Sequence, residues 1–173
     1  MSRRLFTAPG MISDGETGSP RREPAGRVSA PSTGEGFHLC FEADPCTVRR
    51  VLGQAVAELA RGLSRDDAGT LELALAEVLN NIVEHAYDGR TSGQVEVCLH
   101  REAGWICCRI VDSGHAMPAL TLPEGRMRPL PPRLDDLPEG GWGWSLIRTL
   151  ATDLAYRRED GSNYLTFRLP LSR

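Results

Sequence analysis

The chain has 173 residues, which at roughly 150 residues per domain allows one compact domain with a tail and excludes two large ones. Twenty basic residues against twenty-three acidic ones give a net charge of -3, so no overall positive field draws the protein onto nucleic acid or an anionic membrane. All the basic residues are Arg, which excludes a phosphate loop that needs Lys to reach the terminal phosphates, and any Schiff-base Lys.

In residues 1–36, half of the positions are Gly, Pro, Ser or Thr and the apolar residues follow no period. Such a stretch buries too little surface to offset its ordering entropy, so a disordered tail is expected there and the domain over 37–173. Thr7 to Glu16 holds Pro, Gly and Asp where an export signal needs an apolar stretch.

Phe37, Leu39 and Phe41 alternate with His38, Cys40 and Glu42, the period of a half-buried strand. A helix follows, with Asp44 as cap, Pro45 at its first position and an apolar stripe from Val48 to Leu63. Ser64 caps a second helix, with Asp66 and Asp67 at the positive end of its dipole, expected to run to about Tyr87. Val95, Val97 and Leu99 mark another strand. Ala103-Gly104 turns it into Trp105–Val111, whose near-continuous apolar run reads as a central strand buried on both faces. His115 to Pro138 contains six Pro and no period, a length of loop that usually serves as a lid. A short helix from about Trp144 to Thr152 and strands at Leu154–Arg158 and Tyr164–Leu169, joined at Asp160-Gly161, complete the chain. This order implies an α+β two-layer sandwich: a mixed, mainly antiparallel sheet with helices packed on one face.

The five Cys, at 40, 46, 98, 107 and 108, form no C-x-x-C pair and read as small buried hydrophobes in a reducing compartment, which points to the cytoplasm. No run of eighteen apolar residues is present, so no membrane span is expected.

On the second helix Glu77, Asn81 and His85 are spaced i, i+4, i+8, along the border between the apolar stripe and the polar arc. Single polar residues at such a border are ordinarily its solvated side. Asn80-Asn81 argues for more, because Asn competes with the helix backbone and two in succession disfavour a helix interior. Downstream, Asp112-Ser113-Gly114 ends the central strand and Gly140-Gly141-Trp142-Gly143-Trp144-Ser145 opens a helix. Strand-end Asp and helix-start Gly are each common in turns. Together they suit a nucleotide, since Gly lets backbone approach phosphate and free N–H groups at a helix start attract its charge.

These pieces resemble the GHKL superfamily of ATP-binding regulators, which includes histidine-kinase catalytic domains, gyrase and the anti-sigma-factor serine kinases. Glu77 to Tyr87 is similar to its N-box, with the His-Ala-Tyr ending of the anti-sigma kinases; Asp112-Ser113-Gly114 and Pro138 to Ile147 are similar to its two glycine boxes. The resemblance implies a Bergerat-type fold, and an ATP-dependent serine/threonine kinase that phosphorylates a small STAS-type anti-sigma-factor antagonist and sequesters a sigma factor or related regulator. It leaves a homodimer open. It implies that Asn81 brings an amide oxygen to Mg2+ on the ATP phosphates, that Glu77 is the base, and that Asp112 accepts from the adenine amino group beside Gly114. Gly140, Gly141 and Gly143 would cradle phosphate, Thr166 would lie near adenine, and His85 would pack beneath the nucleotide or support a partner surface. Trp142, Trp144 and Met117-Pro118 depart from the family pattern, which favours the alternative of a nucleotide-gated module that binds its partner without phosphorylating it. No phosphoacceptor-His segment of the sensor kinases is recognisable, so autophosphorylation on His is not expected.

Overall fold

The computed structural model describes residues 36–59, 61–88, 93–125 and 142–172. Its elements are β1 (Gly36–Glu42), α1 (Pro45–Leu59), α2 (Arg65–Asn81), a five-residue π-helical turn (Ile82–Ala86), β2 (Gln94–Glu102), β3 (Trp105–Asp112), α3 (Gly143–Leu150), β4 (Thr152–Glu159) and β5 (Ser162–Pro170). The strands form one sheet in the order β1-β2-β3-β5-β4. All four pairings are antiparallel, so the expected mainly antiparallel sheet has no parallel pair among the described strands.

Local chemistry sets the element ends. Asp44 Oδ1 accepts from the Thr47 N–H at 2.9 Å, and Ser64 Oγ accepts from the Asp67 N–H at 3.0 Å; each side chain satisfies a donor the helix start leaves free. Asp160-Gly161 joins β4 to β5 with φ of 49° and 80°, the left-handed pair that a tight hairpin needs and that Asp-Gly adopts cheaply. Asp67 also makes a long-range contact, in which its carboxylate accepts from the Ser172 N–H at 2.9 Å and from the Ser172 hydroxyl at 2.8 Å. The chain beyond β5 is thereby tied to the start of α2.

The helices cover one face of the sheet. Leu71, Leu75, Val78 and Leu79 of α2 meet Val97, Leu99, Ile106, Ile110, Leu165 and Phe167 in a single buried core. The other face is open to half-burial and holds polar pairs: Arg109 Nη2 donates to Glu96 at 2.9 Å, Arg168 lies over the Trp105 ring at 5.3 Å and Arg157 over Tyr164 at 4.1 Å. This corrects the reading of β3 as buried on both faces. Ile106, Cys108, Ile110 and Asp112 are buried, whereas Trp105, Cys107, Arg109 and Val111 are half-buried, the alternation of an antiparallel strand with one covered face. The cysteines divide accordingly. Only Cys108 is buried, Cys98 and Cys107 are half-buried on the open face, and Cys40 and Cys46 are exposed. Burial, and then the neighbouring Glu102, push the Cys107 thiol up to about 11.

The second helix ends earlier than its periodicity predicts, with the expected last turn widened into the π-helical segment. Such an expansion inserts a residue into the helical repeat and is common at functional sites. No described helix is long and apolar enough to cross a membrane.

Candidate functional site

A cavity of about 440 Å³ opens between the helix layer and the end of the sheet, a size suited to a small ligand. One wall comes from α2 and the π-helical turn, with Val78, Asn81, Ile82, His85 and Ala86; another from the sheet, with Asp112, Tyr156, Asn163 and Leu165. Ala116, Met117, Pro118, Pro123 and Trp144 line the remainder. Apolar groups dominate, with a few polar atoms between them, as in small-molecule and cofactor sites generally.

Asp112 is the buried carboxylate of this cavity, 6% exposed. Its Oδ1 accepts from the Gly114 N–H at 2.9 Å and from Asn163 Nδ2 at 2.8 Å. Burial raises its pKa; Asn163, the Gly114 amide and the Arg158 charge each offset part of that rise. Asn163 is itself buried and fully engaged. Its Oδ1 accepts from Tyr156 Oη at 2.7 Å and Arg158 Nη1 at 2.6 Å, and its Nδ2 also donates to the His115 carbonyl at 3.0 Å. Arg158 Nη1 reaches the Gly114 carbonyl at 3.0 Å, and Tyr156 Oη accepts from the Met117 N–H at 3.1 Å. The amide orientation is therefore fixed, because Arg can only donate and an ionised Asp can only accept. The network holds Asp112 and the loop from Gly114 to Met117 in one geometry.

Asn81 also lines the cavity, one helical turn from Glu77 on α2. Asn81 Nδ2 is buried without a hydrogen-bond partner, a costly condition that marks a group kept for something other than packing. Both side chains face the start of α3: a Cβ at Gly143 would collide with Glu77 Oε2 and come within 3.5 Å of Asn81 Nδ2. The unpaired Asn81 Nδ2 is a donor free for a phosphate oxygen, while the Asn81 amide oxygen and the Glu77 carboxylate are oxygen groups of the kind a divalent cation takes, beside a helix start made approachable by Gly. Gly114 is equally constrained, since its Cβ would strike the Ala86 backbone at the end of the π-helical turn; the His115 N–H donates to the same Ala86 carbonyl at 2.8 Å.

The structure thus brings Glu77, Asn81, His85, Asp112, Gly114 and Gly143 to one region; His85 lines the cavity as an exposed side chain. Gly140 and Gly141 lie outside the described residues. Thr166 does not join them. It pairs with Arg109 and Ala155 and alternates with buried Leu165 and Phe167, which sends it to the open face, away from the cavity. The β5 residue that reaches Asp112 is Asn163, two positions before Leu165 on the covered face. That parity is readable in the sequence: if Leu165, Phe167 and Leu169 face the core, Asn163 faces it too and Thr166 cannot. Tyr156 and Arg158 carry no comparable signal, since only the β4–β5 pairing brings them to Asn163.

The chain is 37% identical over 97 residues to the serine/threonine-protein kinase BtrW of Bordetella bronchiseptica, an alignment covering 56% of this chain and 66% of that protein. It is 28% identical over 102 residues to the serine-protein kinase RsbW of Oceanobacillus iheyensis, covering 58% and 64%. The match therefore spans just under two thirds of these relatives' own lengths. A solved Mycobacterium tuberculosis structure of RsbU and RsbW domains shares the fold, with a TM-score of 0.53 at 21% identity over 80% of this chain and 33% of that one. The model of the family described as the histidine kinase-like ATPase domain matches residues 41–169, most of the chain, and to that family this protein belongs.

Proposed function

We propose that the protein is a cytoplasmic ATP-dependent protein serine/threonine kinase of the partner-switching type. Its substrate is a small STAS-type anti-sigma-factor antagonist, and its second partner a sigma factor or related regulator. The observation that carries this reading is the buried, unpartnered Asn81 Nδ2 beside Glu77 at the Gly143 helix start, on a cavity that Asp112 also lines. Relatives named as serine or serine/threonine protein kinases support it.

In this reading Asp112 accepts a hydrogen bond from the adenine amino group, and the apolar walls from Val78, Ile82 and Leu165 enclose the base. Trp144 closes one side of the cavity. Asn81 would hold Mg2+ through its amide oxygen, and the ion would supply positive charge against that of the phosphates. Gly143 lets the α3 start approach the phosphates, with Gly140 and Gly141 of the same motif contributing beyond the described residues. Glu77 accepts the proton of the attacking seryl hydroxyl as the γ-phosphoryl group leaves ADP. His85, exposed on the cavity rim, faces the incoming protein. Thr166, expected near adenine, takes no part, and Asn163 on the same strand holds Asp112.

Calorimetric titration of Mg-ATP into wild type and Asn81→Ala, followed by phosphate transfer to the cognate antagonist, tests the reading. Binding by wild type alone, with phosphoserine formed, is expected. Partner release on ATP addition without phosphoprotein would instead identify a nucleotide-gated binder, the reading favoured by Trp144 in the cavity wall.

A further inference from the structure

The open face of the sheet carries a second group of reactive side chains that the nucleotide cavity does not use. His100 and Cys107 are direct partners across the β2–β3 ladder, and Glu102 lies two residues beyond His100 on the same face. One ligand-capable atom from each, the His100 ring nitrogen, a Glu102 carboxylate oxygen and Cys107 Sγ, all lie within 4.8 Å of one another. Among the described residues this is the one place where three His, Cys or carboxylate groups converge so closely. His100 Nε2 and Glu102 Oε1 are already 3.1 Å apart. In a tetrahedral zinc site, with metal–ligand bonds of about 2.0–2.3 Å, ligand atoms stand roughly 3.5 Å from each other, so side-chain rotation on a fixed backbone is enough to close the set.

We propose that His100, Glu102 and Cys107 form a binding site for Zn2+ on the sheet face opposite the nucleotide cavity. The donor chemistry selects the ion. One imidazole nitrogen, one thiolate and one carboxylate suit borderline-soft Zn2+, whereas Mg2+ and Ca2+ prefer oxygen alone. Three protein ligands leave the fourth position to water or to a partner's side chain. The frame is rigid, because the same stretch of β2 and β3 sends Leu99, Ile106 and Cys108 into the core on its other side. Charge balances as well. The thiolate and carboxylate neutralise the ion, the thiol proton passes to solvent on binding, and Arg168, the ladder partner of Cys107 on β5, is paired with Asp153. The site would clamp the β2–β3 hairpin from outside.

The test uses the full chain freed of metal, with Zn2+ titrated against a chromophoric chelator and Co2+ as a spectroscopic substitute. One equivalent of Zn2+ should bind, and Co2+ should give a thiolate charge-transfer band. Cys107→Ser should abolish that band, and Cys107→Ser and His100→Gln should each weaken Zn2+ binding at least tenfold; Cys46→Ser, on the far side of the fold, should change neither. Glu102→Gln, at a more exposed side chain, gives an independent reading and should weaken binding severalfold. Wild-type binding no tighter than that of Cys107→Ser, or a charge-transfer band surviving that change, would overturn the proposal and leave His100, Glu102 and Cys107 as a hydrogen-bonded surface cluster.

Discussion

Asp112 and Asn163 show how one buried charge can be kept usable. Burial raises the Asp112 pKa, and the Asn163 amide lowers it again by donating to Oδ1. In the proposed function the ionised Asp112, the stronger acceptor, takes the hydrogen bond of the adenine amino group, so Mg-ATP affinity should fall as pH drops through the raised Asp112 value. Asn163→Ala removes one of the opposing bonds and should move that midpoint to higher pH, as well as costing about 1–3 kcal/mol of stability through the unpaired Tyr156 and Arg158 donors. Calorimetry between pH 5 and 8 checks it; an unshifted midpoint would separate Asn163 from the carboxylate. Linkage gives a companion expectation. A carboxyl group whose pKa is higher folded than unfolded adds no cost below the unfolded value, and its cost grows as pH rises to the folded one. Asp112→Asn should therefore leave the nucleotide-free protein at least as stable as wild type at pH 8 by thermal unfolding, while losing ATP. Asp112 is legible from its place at the end of an apolar strand. Thr166 misleads because its residue type suits the site while the strand's parity points to Asn163.

The ends of the elements are as legible as their interiors, because the groups that end a helix are local in sequence. Ser64 and Asp44 cap where expected. Asp67 does what no local pattern could announce, since its partner Ser172 lies 105 positions away. The Ser172 N–H and hydroxyl hold the Asp67 carboxyl below its ordinary value against the cost of burial. The stabilisation is present above the unfolded carboxylate value and is lost as pH falls through the lower folded value. Asp67→Ala should cost about 1–3 kcal/mol at neutral pH, and its unfolding midpoint in denaturant should converge on wild type in acid. The π-helical turn is equally illegible, because Ile82–Ala86 contains no Gly or Pro to mark it; its last residue, Ala86, lies so close to Gly114 that no Cβ fits there. At the facing helix start, Gly143→Ala drives a methyl group into the Glu77 carboxylate. Phosphate transfer should fall at least tenfold with the α-helical signal in circular dichroism intact; full activity would mean that Glu77 can move aside without cost.

At the scale of the whole molecule, the two-layer architecture follows from which faces of the strands need cover. The β3 run Trp105–Val111 looks apolar enough for two helix layers because Trp, Cys and Val count as hydrophobic. The open-face members are instead only half-buried, with Trp105 lying under the Arg168 guanidinium. The helix-side residues have no such substitute. Ile110 is 1% exposed and packs in the core, so Ile110→Ala should leave a cavity and cost about 2–5 kcal/mol. Its neighbour Val111, half-buried on the other face, can relax toward solvent, so Val111→Ala should cost less than about 1 kcal/mol, near the scale of ordinary surface changes. Urea unfolding of both variants at several protein concentrations measures the difference directly. Equal and large losses would mean that the open face is covered in solution. A Val111→Ala loss that is large at high protein concentration and shrinks on dilution below the association range would identify a second copy as the cover, since a shared interface makes apparent stability depend on concentration.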